Sequence, residues 1–315
     1  MTLWLRPLEQ NSKMGDQSAI AASVSRSLLV RGVNWLGDAV MTTPAMQRLR
    51  ERFPTAQIAL LTHEKLAELW QQQPVFDTFI TFTAAENLWS IARRLKTYRF
   101  DATLILPNSP RSALEMWLAG IPRRIGYASR GRSWLLTHPQ EYPPGHFRVR
   151  RRGVREIRRL TRSGSPPLRS GDSFTHQIHD YLQLATVLGS NPAPLPPKLH
   201  VSDTEVEQQL IGLRKLEVVK NLERGGQLPI WIGLNPSAAY GPAKCWPVER
   251  FAEVTREVSA RVPNCIWLMF GTSADWDLCE RIAKLGNCRI INLAGKTSLR
   301  QLLSLLKCCR VLLTN

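Results

Sequence analysis

An isolated aspartate between an apolar strand and a helix is the first residue of this chain equipped for chemistry. In LLVRGVNWLGDAVMTTP, from Leu28 to Pro44, an apolar run enters a turn of small residues, Asp38 follows, and a helix is expected from about Met41. In an α/β protein such a turn lies beyond the carboxyl end of a strand, where ligands bind. A carboxylate there can take a proton from a hydroxyl. The competing reading is a helix cap, since Asp accepts from first-turn amides and gains roughly 1 kcal/mol by doing so; spacing alone favours the cap. A second candidate is Lys244, in the loop NPSAAYGPAKCW. There the backbone amides of Ser237, Ala238, Tyr240 and Gly241 precede a helix and could face phosphate oxygens, with the ammonium completing an anion site. Taken alone, an exposed loop lysine is the better reading of Lys244. His176 and His179 stand one helical turn apart, a spacing two metal ligands can share. With no third ligand in view they read as a surface helix face, and no metal site is assigned.

The elements that must position these residues follow a β-α rhythm. Strands are expected near 28–33, 57–62, 77–82, 101–106 and 123–127, with helices near 42–52, 64–73, 86–97 and 110–119 between them, the pattern of a parallel sheet. Residues 1–26 have no periodicity and read as a disordered extension, with Met14 an alternative start. After Thr137 a polar, proline-rich passage is expected to build no sheet, and residues 139–173 read as a basic insertion. A helix from about Phe174 carries Ile178, Leu182, Ala185 and Leu188 on one face, and Gly189 stops it. Residues 191–198, NPAPLPPK, form a stiff linker. The rhythm then restarts, with strands near 230–235, 265–270, 289–293 and 310–314 and helices near 204–217, 247–261, 275–285 and 298–307. The organisation is thus a first domain over 27–190 and a second over 199–315.

Composition limits the partners. The 315 residues are 43% hydrophobic, enough for two cores, and no apolar run reaches the length of a membrane span. The amino terminus lacks a convincing signal peptide, so the expected location is the cytoplasm. All six cysteines lie in the last third with no Cys-x-x-Cys pair, and read as buried or idle thiols. Of the net charge of +17, +7 sits between Arg148 and Arg162, where eight Arg accompany one Glu. No recognised nucleic-acid motif or interleaved aromatic residue goes with this block, so nucleic acid is not the expected partner. It reads either as a contact for an anionic membrane surface, at about 1 kcal/mol per cation, or as a solvated insertion.

Four segments in order carry a family resemblance: Leu28 to Pro44, LPNSPRSALEMWLAGIPRRIGY from Leu106 to Tyr127, NPSAAYGPAKCWPVERFAEV from Asn235 to Val254, and NLAGKTSLRQL from Asn292 to Leu302. Together they resemble the ADP-heptose:lipopolysaccharide heptosyltransferases, glycosyltransferase family 9, and among them the heptosyltransferase II type. The resemblance implies two tandem Rossmann-like domains of the GT-B type. The acceptor would sit on the first, the nucleotide sugar on the second, and the reaction in the cleft between them. It implies transfer of heptose from ADP-heptose, with inversion, to a lipopolysaccharide inner-core acceptor at the cytoplasmic face of the inner membrane, by a peripheral enzyme that needs no cofactor.

By the same resemblance Asp38 is the catalytic base and Lys244 the cation at the departing diphosphate. Ser237, Ala238, Tyr240, Gly241, Lys296 and Thr297 would border the donor. Asn108, Ser109, Arg111 and Ser112, with Arg123, Arg124 and Arg130, would meet the acceptor's anionic groups. Ser237 departs from the Gly common in the family and Cys245 from the usual Arg, which removes a bidentate contact. The family also continues beyond a strand like the last one here into an Asp-Ser-Gly-x-x-His loop. The second domain is therefore expected to be incomplete and transfer impaired, the alternative being an inactive lipid-binding remnant.

Overall fold

The computed structural model describes residues 26–129, 131–142, 159, 176–238 and 244–315. Almost all of the expected extension 1–26 and most of the basic insertion 139–173 lie outside these residues, as do Arg130, Tyr240 and Gly241. The chain divides into two compact units, Met1–Leu199 and His200–Asn315.

The first unit is built on β1 (Ser27–Arg31), β2 (Gln57–His63), β3 (Thr78–Phe82), β4 (Ala102–Ile105), β5 (Arg123–Tyr127) and β6 (His138–Gln140). They form one parallel sheet in the order β3-β2-β1-β4-β5-β6, with Leu28 aligned to Ile58 on one side and Ala102 on the other. The central strands bury both faces, which explains why Leu28, Leu29 and Val30 run on without polar alternation. Helices α1 (Leu36–Arg52), the short α2 (Ala67–Trp70), α3 (Leu88–Lys96), α4 (Pro110–Leu118) and α5 (Gln177–Thr186) complete it. On one face of the sheet, Leu29, Leu61 and Ile105 pack with Ile91 and Leu95 of α3 and Ala113 and Met116 of α4.

Two local expectations are corrected. Helix α1 starts at Leu36 rather than near Met41, so Asp38 lies in its first turn and Trp35 is the cap position, without a side-chain cap bond. The early start places Pro44 inside the helix, where the missing N–H leaves the Val40 carbonyl unpaired and would cost about 3 kcal/mol. The Thr43 hydroxyl donates to that carbonyl at 2.8 Å, which is how the helix runs through the proline. After Thr137, where no sheet was expected, β6 pairs with β5 at the sheet edge. Pro139 is tolerated because the edge pairing uses the amides of Thr137 and Ala128 instead.

The second unit contains α6 (Asp203–Arg214), α7 (Glu217–Arg224), β7 (Ile230–Asn235), α8 (Val248–Arg261), β8 (Cys265–Met269), α9 (Trp276–Gly286), β9 (Ile290–Asn292), α10 (Leu299–Cys308) and β10 (Val311–Thr314). Its parallel sheet runs β10-β7-β8-β9. Trp267 and Met269 face one core with Phe251 and Ile282, while Trp231 and Leu268 face a second with Leu213, Val219, Leu222 and Leu305. Helix α7 was not expected. The single helix foreseen over 204–217 breaks at Lys215 and Leu216, and α7 then buries Val219 and Leu222 in the second core.

Candidate active site

In both sheets the strand order reverses once, between β1 and β4 in the first and between β7 and β10 in the second. Loops leaving the carboxyl ends of those strands diverge to opposite sides, opening a crevice at each reversal. Asp38 follows β1 and Asn108 follows β4; the segment from Pro236 follows β7 and Asn315 follows β10.

The turn before Asp38 is held from below. Arg31, the last residue of β1, is buried and donates from Nε to Glu115 Oε2 at 3.0 Å, from Nη1 to the Gly32 carbonyl at 2.5 Å and to Asn34 Oδ1 at 3.3 Å. Its guanidinium also lies 4.4 Å above the Phe82 ring. Burial lowers its pKa, and the Glu115 charge opposes that shift. Glu115, itself buried on α4, takes a second contact from Arg111 Nε at 3.3 Å. One buried carboxylate thus ties the β1–α1 turn to the first turn of α4.

Asp38 is half-buried, and desolvation raises its pKa above the ordinary aspartate value of 3.8. It is therefore a stronger base than an exposed aspartate. Helix α1 packs along α5, whose buried Tyr181 accepts from Gln177 Nε2 at 2.7 Å. The Tyr181 phenol is pushed well up, first by burial and next by the Asp38 charge.

Across the crevice the exposed Asn108 donates from Nδ2 to the Tyr142 hydroxyl at 2.6 Å. The Tyr142 ring stacks on Tyr127 at 3.9 Å. The fully buried Arg132 donates to Asn108 Oδ1 at 3.3 Å and to the Pro107 carbonyl at 2.7 Å, and burial brings its pKa down to about 10. Ser109 caps α4 by accepting from the Ser112 amide. Arg111 is half-exposed and also donates to the Glu86 carbonyl at 3.0 Å.

Arg123 and Arg124 are not brought to this crevice. They open β5 at the strand's opposite end, and Arg124 is spent on the carbonyls of Leu135 and Ile121. The His pair is corrected as well: His176 caps α5 and His179 is buried, not on a surface face. Among the described residues no group of three or more His, Cys, Asp or Glu could hold a metal.

In the second unit Ser237 and Ala238 are half-buried after β7, and Lys244 is exposed shortly before α8. The Asn315 side chain clasps this loop at both ends. It accepts from the Trp246 amide at 2.7 Å and donates to the Pro236 carbonyl at 2.7 Å. Helix α8 begins behind Pro247 with no side-chain cap bond, and the Arg250 amide donates to the Pro247 carbonyl at 3.1 Å, so Val248 and Glu249 carry the amides an anion could meet there. Lys296 Nζ lies 4.2 Å above the Trp276 ring, and Thr297 precedes the capping Ser298 of α10. Sequence reasoning missed Arg31, Glu115, Arg132 and the tyrosines. A charge ending the apolar run LLVR, and a lone acid four residues after Arg111, were the available signals.

This geometry can be set against known proteins. A glycosyltransferase family 9 (heptosyltransferase) profile matches residues 167–315. Lipopolysaccharide heptosyltransferase 2 of Escherichia coli K12 is 27% identical over 307 residues, covering 91% of this chain and 76% of the relative. The chain is thus similar to glycosyltransferase family 9 over residues 167–315 and to heptosyltransferases over most of its length. These matches support a glycosyltransferase. Lipooligosaccharide heptosyltransferase 2 of Haemophilus ducreyi is 26% identical, with the same 91% and 76% coverage. Among solved structures, E. coli ADP-heptose lps heptosyltransferase II is similar at a TM-score of 0.68 and 24% identity, covering 92% of this chain and 78% of that one. The family 9 protein from Veillonella parvula reaches 0.71 at 20% identity, covering 93% and 76%. These likenesses support the two-sheet α/β fold expected of the family.

Proposed function

We propose that this chain is a family 9 glycosyltransferase that transfers heptose from ADP-heptose to a heptose of a lipopolysaccharide inner-core acceptor with inversion at the anomeric carbon. The observation that carries the reading is Asp38, a half-buried carboxylate of raised basicity at the strand-order reversal of the first sheet. Its carboxylate takes the proton from an acceptor hydroxyl as that oxygen bonds to the anomeric carbon. The bond from that carbon to the diphosphate oxygen breaks, and ADP leaves with the electron pair.

Negative charge growing on the diphosphate is met by the Lys244 ammonium, the amides around Ser237, Ala238, Tyr240 and Gly241, and the α8 N-terminus. Lys296 and Thr297 border the same donor. Asn108, Ser109 and Arg111 orient the acceptor, Asn108 with its amide fixed by Arg132 and Tyr142. The basic block from Arg148 to Arg162 holds the protein peripherally on an anionic membrane at the cytoplasmic face. The relatives named for this activity support the reading.

The test is incubation of the purified chain with ADP-heptose and a deacylated heptosylated core oligosaccharide. Mass spectrometry should show one added heptose, lost in Asp38→Asn. Failure of the chain to bind ADP-heptose, or undiminished transfer by Asp38→Asn, overturns the reading.

A further inference from the structure

Three tryptophans stand in the open on one side of the first unit. Trp89 on α3 and Trp134 in the turn after β5 are each 68% exposed, and Trp117 on α4 is 45% exposed. Apolar side chains this large are ordinarily withdrawn from water, so a cluster of them marks a contact surface. Trp117 and Trp134 meet edge to face with centroids 6.2 Å apart. The inner faces of α3 and α4 and of the turn holding Trp134 all enter one core cluster, through Ile91, Ala113 and Leu135 among others. Their outward residues therefore lie on the far side of a single layer.

The charge on that layer has one sign. The outward positions of α3 include Arg93 and Lys96, and α3 contains no acid. The single acid of α4, Glu115, is buried against Arg31. Glu86, just ahead of α3, is engaged by Arg94 at 3.3 Å.

We infer that the face bearing Trp89, Trp117 and Trp134 docks on an anionic lipid surface, with the indoles at headgroup depth and Arg93 and Lys96 on lipid phosphates. Indole combines a broad apolar ring with one N–H donor, which suits the boundary between acyl chain and headgroup. Cations beside it add attraction to an anionic leaflet. A protein partner would be expected to present acids to this face and a nucleic acid to stack on its rings; the rim of cations with outward, apolar indoles fits the membrane best. This contact uses residues other than those of the basic block and is independent of the transfer reaction.

The experiment compares the full chain with Trp89→Ser/Trp134→Ser and, separately, with Arg150→Ser/Arg151→Ser/Arg152→Ser. The probes are phosphatidylcholine vesicles with and without phosphatidylglycerol, plus the same anionic vesicles with brominated acyl chains. The parent should sediment with the anionic vesicles, and the bromolipid should quench its tryptophan emission. The tryptophan variant should bind about tenfold more weakly and lose most of that quenching, with an unchanged circular dichroism spectrum and thermal midpoint. Binding by that variant equal to the parent overturns the inference, as does loss of binding in the arginine variant alone. Tighter binding to a single-stranded oligonucleotide than to vesicles, abolished by the tryptophan variant, assigns the face to nucleic acid and overturns it too. Transfer to the deacylated acceptor reports on the proposed function independently of every vesicle result.

Discussion

The two strand-order reversals carry opposite kinds of machinery. At the first, Arg31 and Glu115 are buried and bonded to each other, and the carboxylate they support from a distance, Asp38, is half-buried with a raised pKa. At the second, Lys244 is exposed and its loop is clasped by one polar side chain, Asn315. The contrast fits the roles proposed for the two groups. A base needs a fixed, partly dry setting, because desolvation and neighbouring charge decide its proton affinity. A cation that meets a diphosphate needs only charge and reach, and the bound ligand itself can order it.

Replacing Asp38 by Asn should have the largest effect on turnover, lowering kcat about 10²–10⁴-fold with little change in either KM, measured as initial rates. A raised KM with kcat preserved would make Asp38 a binding group and erase the contrast. Because its pKa is raised above 3.8, the ionised form disappears at a higher pH than for an ordinary aspartate as pH falls, so the acid limb of kcat/KM should lie above 3.8. Stability has the opposite sign. The folded state holds that proton more tightly than the unfolded chain, so Asp38 costs stability as pH rises through and beyond 3.8. Asp38→Asn should therefore unfold at an equal or higher temperature at neutral pH while losing activity.

The parallel sheets, the restart of the β-α rhythm in the second unit and the position of Asp38 just past the first strand were all legible, because apolar runs of strand length separated by amphipathic helices leave a strong pattern. What was not legible depended on contacts remote in sequence. The start of α1 was placed late, and a helix running through Pro44 is explained only by the Thr43 hydroxyl that satisfies the Val40 carbonyl. Arg31 and Glu115 are 84 residues apart, and no local signal pairs them. Arg124 looked like an acceptor contact because the dipeptide is basic, yet its guanidinium closes the loop around Leu135. Positions at the carboxyl edge of the sheet could be named from order alone; which arginines face the crevice could not.

Glu115→Gln should be the costliest change to stability, about 3–5 kcal/mol in urea unfolding, because it strips a buried guanidinium of its counter-charge. Lys244→Ala should leave unfolding unaltered and raise the KM for ADP-heptose about 10–100-fold, the equivalent of one charge-assisted bond to phosphate. If the two variants exchange these behaviours, the division into a rigid acid-base site and an adaptable anion site is wrong.

Asn315→Ala should have the smallest effect and sharpens the comparison most. Its side chain bridges the Trp246 amide and the Pro236 carbonyl, so its loss frees both ends of the Lys244 loop at about 1 kcal/mol. Were the second site as preorganised as the first, that loosening would reach the chemical step and lower kcat. For a loop ordered by its ligand, the cost falls on binding. The expected result is a several-fold rise in the KM for ADP-heptose at constant kcat, with the acid limb set by Asp38 unmoved.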